Sequence, residues 1–310
     1  MSDFSATEDP RATPTAPTAA PPTTSTAATA PDASPVPGAG SKAPKAGRNL
    51  PAAIGVGVGL AVLVIASLAF RRDAFLLVLV GAMGVGAWEM RRALRQAGLD
   101  VPLVPVVLGA VSMVLAAFYR GPEALVLTFG LTCVGILIWR VADGLEGAIG
   151  DIGGAFLVAL YPCFLGGFAA LLLAPDDGHL RIVFFILVTV ASDIGGYAFG
   201  VFLGKHPMAP SLSPKKSWEG FAGSAFTCAV VGALALALLL DGTWWMGLVI
   251  GVVVAAAATV GDLIESSIKR DLGVKDMGTL LPGHGGLMDR LDSLVVCIPV
   301  VWALLLWAHP

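Results

Sequence analysis

From Leu50 onward the chain alternates long apolar runs with short polar breaks. A membrane-spanning helix needs about 20 mostly apolar residues. Nine stretches qualify, near 50–70, 73–90, 101–119, 122–139, 151–174, 180–203, 219–240, 243–266 and 291–308. They are too long and too uniformly apolar for the alternating strands of a membrane barrel. Open strands cannot cross lipid, because their backbone groups would go unpaired. The pattern predicts an all-α integral membrane protein, a polytopic bundle of about nine transmembrane helices.

The first 49 residues are a different material. Pro, Ala, Thr and Ser make up 34 of them, with almost no large apolar side chain. Such a segment cannot bury enough surface to offset its ordering entropy, so a disordered tail is expected over 1–49 and a transmembrane domain over 50–310.

Composition agrees with the run pattern. Hydrophobic residues are 56% of the 310 and charged residues 13%, against roughly 25% charged in soluble domains. Mean hydropathy is +0.83. The net charge of −3 speaks against a general nucleic-acid binder. The four cysteines all fall inside predicted spans without paired spacing, as small packing residues do.

Charge also orients the bundle. With the N-terminus in the cytoplasm, 14 Lys and Arg flank the inner helix ends, and only Arg71, Arg72, Arg120 and Arg181 face the other side. This asymmetry satisfies the positive-inside rule.

Polar residues suited to chemistry gather in the C-terminal half, about 180–310. Asp193 in the sixth span lies 12 residues before Lys205, about 18 Å along a helix, where a carboxylate is costly and usually functional. Gly196, Gly200 and Gly204 beside it allow close helix approach. Ser213, Lys215 and Lys216 precede the seventh span and suit phosphate contact, although lysines and a Trp there are also ordinary interfacial anchors.

The strongest cluster runs from Gly261 to Ser293. Asp262, Glu265, Ser266 and Lys269 fall at i, i+3, i+4 and i+7, one stripe down a helix end. Asp289, Asp292 and Ser293 repeat that spacing at the start of the last span. Carboxylates facing one another need a cation between them, and hard oxygen donors select Mg²⁺ or Ca²⁺ over zinc. Lys269, Arg270, Lys275 and Arg290 stand beside them, with glycines at 283, 285 and 286 whose N–H groups can approach an anion. Carboxylates for Mg²⁺ among bases and a Gly-rich turn suit a polyphosphate substrate. His284 reads as a phosphate or proton contact, because a lone His is a poor Mg²⁺ ligand. His179, His206 and His309 carry no signal.

The run Ser266 to Asp292 resembles the signature of the phosphatidate cytidylyltransferases, or CDP-diacylglycerol synthases. Its elements stand in order: Ser266, Ile268-Lys269-Arg270, Lys275-Asp276, Gly278, Pro282, His284-Gly285-Gly286, Asp289-Arg290 and Asp292. The resemblance implies cytidylyl transfer from CTP to phosphatidic acid, giving CDP-diacylglycerol and pyrophosphate in phospholipid biosynthesis. It also implies Mg²⁺, with room for a second, monovalent cation, and places the metal-binding aspartates at Asp262 and Asp289.

Asp193, Glu265 and Asp292 are weaker metal candidates. Asp262, Asp289, Lys269, Arg270 and Asp292 are the expected catalytic residues. Ser213, Lys215, Lys216, Ser266, His284, Gly285, Gly286 and Arg290 are expected at the substrates. The expected setting is the plasma membrane with the site facing the cytoplasm, and homodimerisation stays open. A polyprenol kinase or an ether-lipid cytidylyltransferase would share the metal site. A secondary transporter would more often show an internal repeat, and none is visible.

Overall fold

The structure, a computed structural model, describes residues 50–144, 146–281 and 285–309. The 1–49 tail and His284 lie outside the described residues. The described residues are helical almost throughout, and each expected span is matched by an observed helix.

Four helices come first: α1 (Leu50–Phe70), α2 (Arg72–Gln96), α3 (Leu103–Arg120) and α4 (Pro122–Asp143). Their breaks follow local chemistry. Gly121 sits at φ 87°, a conformation that costs a glycine little, and Pro122 then starts α4 at the position where its missing N–H is harmless.

The fifth span is composite. α5 (Ala148–Val158) passes through a π-helical turn, Ala159–Phe164, into α6 (Leu165–Leu173). Pro162 lies inside that turn. Proline removes one ladder hydrogen bond and crowds the carbonyl four residues back, and the wider turn accommodates it.

Then come α7 (Gly178–Leu203), a short antiparallel hairpin of β1 (Pro207–Ala209) and β2 (Ser213–Ser217), α8 (Trp218–Leu239), α9 (Trp244–Asp271) and α10 (Met288–Ala308). Among the described residues eight helical spans are long and apolar enough to cross a membrane, and Gly55–Phe70 of α1 is a shorter apolar helix. At the site end α9 continues past its apolar stretch to Asp271, and α10 begins ahead of its own at Met288. Those extra turns carry the polar side chains.

Packing differs between the halves. α2, α3, α4, the fifth span and α10 bury large side chains such as Met90, Met113, Leu125, Leu172 and Met288. α7, α8 and α9 instead approach through small residues. A Cβ on Gly247 would collide with the backbone of Gly232, and one on Gly251 with that of Cys228. Lipid offers no hydrophobic drive between helices, so close backbone contact of this kind supplies the attraction. Cys163, Cys228 and Cys297 are free and buried, as packing residues should be.

Contacts sort the helix ends. At one end Arg72 of α2 donates to the Asp176 carbonyl at 2.8 Å, and Arg181 and His309 both bind Asp177. At the other, the Asp100 N–H reaches Asp151 at 2.7 Å, and Glu89 of α2 meets the start of α10. The sequence-predicted site residues among the described ones belong to that second end.

Candidate active site

Four elements build the site. The hairpin comes first. Glu219 in the first turn of α8 accepts from the Lys205 and His206 amides at 3.1 and 3.2 Å and meets His206 Nδ1 at 2.5 Å. Ser217 caps α8, accepting from the Gly220 N–H at 3.1 Å. The hairpin is thus pinned at both feet. Strand alternation then turns Lys216 inward, where Nζ lies 2.5 Å from Asp262 Oδ2 of α9, while Lys215 stays exposed.

α9 and α10 touch closely at Gly261, where a Cβ would come within 2.9 Å of the Asp292 carbonyl. That contact brings the two polar stripes side by side. Lys269 bridges them, 2.9 Å from Glu265 and 2.6 Å from Asp289. Asp262, Glu265, Ser266, Lys269, Asp289, Asp292 and Ser293, all seven stripe residues, line one cavity of about 400 Å³ with Asp193, Lys216, Asp276 and Arg290. A second cavity of about 240 Å³ between α7, α8 and the hairpin shares Asp193, Lys216 and Asp262 with it and adds Lys215, Tyr197 and Phe221. Asp193 is exposed to this space despite its depth along α7.

The two aspartates singled out by the resemblance have different surroundings. Asp262 is half-buried, meets Lys216, and shares the cavity with Asp292. Asp289 is almost wholly enclosed. It accepts from the Met277 N–H at 3.1 Å, from the Gly286 N–H at 2.7 Å and from Lys269. Gly285 and Gly286 do approach an anion, and that anion is the side chain of Asp289. Gly285, at φ 85°, completes the turn against Asp289.

Other expected residues stand farther off. Arg270 is exposed, and neither it nor Ser213 lines either cavity. α9 turns about 100° per residue, so Arg270 faces away from the stripe that carries Lys269. Gly196 and Gly200 pack against Gly220 and also floor the second cavity.

Sequence reasoning passed over two buried residues. Glu89 of α2 accepts from the Met288 N–H at 2.8 Å. Tyr161, on the π-helical turn, donates to the Asp292 carbonyl at 3.3 Å. The signals were a carboxylate within an apolar run and a proline, Pro162, near a span's centre. His206 and His309, both thought silent, have carboxylate partners in Glu219 and Asp177.

Six carboxylates (Asp193, Asp262, Glu265, Asp276, Asp289, Asp292) against three bases (Lys216, Lys269, Arg290) leave the larger cavity formally acidic. Glu265 Oε1 is buried and has no hydrogen-bond partner among the described residues. No three His, Cys, Asp or Glu side chains among those residues are grouped to hold an ion by themselves. Mg²⁺ asks for less, keeping waters and taking one or two carboxylates plus substrate phosphates. The donor set fits such an ion in its chemistry.

Fold and site together define a polytopic membrane protein with a lysine-bridged acidic cavity at one end of its bundle, the equipment of an enzyme that handles phosphates. The pattern of the cytidylyltransferase family matches residues 51–308, and the chain belongs to that family. It is a nucleotidyltransferase. It is similar to the phosphatidate cytidylyltransferase of Mycobacterium leprae (strain TN), 41% identical over 84% of this chain and 89% of the relative. The phosphatidate cytidylyltransferase of Mycobacterium tuberculosis (strain ATCC 25618 / H37Rv) is 38% identical over 84% of each chain. That of Helicobacter pylori (strain ATCC 700392 / 26695) is 34% identical over 76% of this chain and 85% of the relative.

Proposed function

We propose that the acidic cavity is where this chain transfers a cytidylyl group from CTP to phosphatidate, giving CDP-diacylglycerol and pyrophosphate. The observation that carries the assignment is the meeting of the α9 and α10 stripes in one cavity, with lysines between the acids. Phosphatidate keeps its acyl chains in the bilayer and CTP is water-soluble, so a shared site belongs at the membrane surface. In this reading that surface is the cytoplasmic face of the plasma membrane, and the charge asymmetry of the loops supports the cytoplasmic orientation.

In this reading a phosphatidate oxygen attacks the α-phosphorus of CTP, a P–O bond forms, and the bond to the departing pyrophosphate breaks. Lys216, Lys269 and Arg290 bind the phosphates and offset their charge. Asp262 and Asp292, with Asp193 across the cavity, would hold Mg²⁺ on the triphosphate. Asp289 is fully engaged with loop amides, and keeps Lys269 and the turn in place. A bound divalent ion would neutralise charge on the triphosphate oxygens. No covalent enzyme intermediate is needed, because the attacking oxygen already carries its charge.

The test is mass analysis of lipid made by purified protein given CTP, Mg²⁺ and phosphatidate. CDP-diacylglycerol with release of pyrophosphate is expected. A phosphorylated lipid without the CMP moiety would instead mean a kinase and overturn the assignment.

A further inference from the structure

The start of α10 is held from an unexpected place. The first N–H groups of a helix have no partner within it, and Leu287, which precedes α10, supplies no side-chain cap. The Met288 N–H instead finds Glu89 Oε2 of α2, 199 residues away, at 2.8 Å. Glu89 is 0% exposed. Its other oxygen is buried without a hydrogen-bond partner among the described residues, a costly arrangement for a carboxyl group.

The loop before α10 is shaped around this side chain. A Cβ added at Gly278 would meet Glu89 first, colliding with Oε1, and one at Gly286 would lie 2.6 Å from Oε2. Met288 is followed at once by Asp289 and Arg290, and then by Asp292, all of which line the acidic cavity. The rotation and axial position of this first turn decide where those three side chains point.

We infer that Glu89 is a positioning residue for nucleotidyl transfer: it caps α10 from α2, seats the loop through Gly278 and Gly286, and so holds Asp289, Arg290 and Asp292 in the cavity. The activity readout of this inference rests on the proposed function. A misplacement of 1 Å can cost about 10²-fold in rate. Glu89→Ala should therefore lower kcat/KM by on the order of 10²-fold, chiefly through kcat. Glu89→Gln keeps an oxygen for the Met288 N–H and should stay near wild type. Gly278→Ala should be harmful beside Glu89 and much milder in the Glu89→Ala background, where its methyl group has room, a non-additivity expected of residues that act as a unit.

The experiment uses full-length protein in lipid-containing detergent. It combines steady-state kinetics with amide hydrogen exchange of peptides containing Met288. Exchange should quicken in Glu89→Ala and not in Glu89→Gln. Wild-type kinetics and exchange in Glu89→Ala, a Glu89→Gln variant as impaired as the alanine, or additive effects with Gly278→Ala would each overturn the inference. If Glu89→Ala does not fold, the decision passes to the other two single variants. An active Glu89→Gln with an impaired Gly278→Ala supports the role, and any other pairing refutes it. If the wild-type protein makes no cytidylyl lipid, the functional assignment falls, and the exchange data still judge Glu89.

Discussion

At the scale of single residues, the site separates carboxylates by what already satisfies them. Asp289 has every oxygen engaged, by two loop amides and Lys269, whereas Asp262 meets one lysine and faces open cavity. Asparagine at either position removes charge but leaves different damage. Asp262→Asn should raise the Mg²⁺ concentration needed for half-maximal rate. Asp289→Asn should cut turnover by 10²-fold or more, with that requirement little changed, because it loosens the loop and frees Lys269. Titrating Mg²⁺ against rate for both variants checks the contrast. A parallel rise in metal requirement would place Asp289 among the ligands.

Helical spacing made the stripe from Asp262 to Lys269 and its echo at Asp289 legible, because i, i+3 and i+4 positions must share a face. The division of labour within it was not. It depends on Met277 and Gly286 turning their N–H groups inward, a loop conformation that no periodicity encodes. Glu89 escaped for a related reason: its partner is 199 residues distant.

At the scale of elements, the apolar runs foretold the spans well, since membrane thickness dictates their length. The π-helical turn at Ala159–Phe164 was not foreseen, although Pro162 marks the place. The hairpin was also missed, because three and five residues of strand leave too short a pattern to read.

The α7–α8–α9 group rests on absent side chains, and this gives a sharp contrast. Gly247→Ala forces a methyl group into the Gly232 backbone and should cost about 1–3 kcal/mol. Gly81→Ala, in mid-helix with nothing within 4 Å of its Cβ, should be neutral or stabilising by up to about 1 kcal/mol. Thermal midpoints of the two variants in the same detergent settle the matter. Equal losses would mean that the α8–α9 contact is not what holds these helices.

At the scale of the whole molecule, the end opposite the site is tied by charge. Asp177, just before α7, binds Arg181 at 2.9 Å and His309 at 3.0 Å, so the last turn of α10 is fastened to α7. Partial burial pushes the Asp177 pKa up, yet the hydrogen bond and charge of Arg181, joined by His309, outweigh it and hold the carboxyl below its ordinary 3.8. A lowered pKa contributes stability that is present above the unfolded value and lost as pH falls through the folded one. Asp177→Asn should therefore cost about 1–2 kcal/mol at pH 6, seen as a thermal midpoint lower by a few degrees. The gap from wild type should close on acidification below that range. A gap independent of pH would show that the carboxylate charge contributes nothing there.

The lysine bridges carry one more implication. Under the proposed function, a lysine that left an acid to grip an incoming triphosphate would strip that acid of its counter-charge, and the bared oxygens would then favour a metal. Conversely, acids that held a metal would free the lysine for the nucleotide. Each guest would prepare the other's place, and by reciprocity the two preferences would be equal in size. Removing the Lys216 amine should weaken this mutual reinforcement more than it weakens either guest alone.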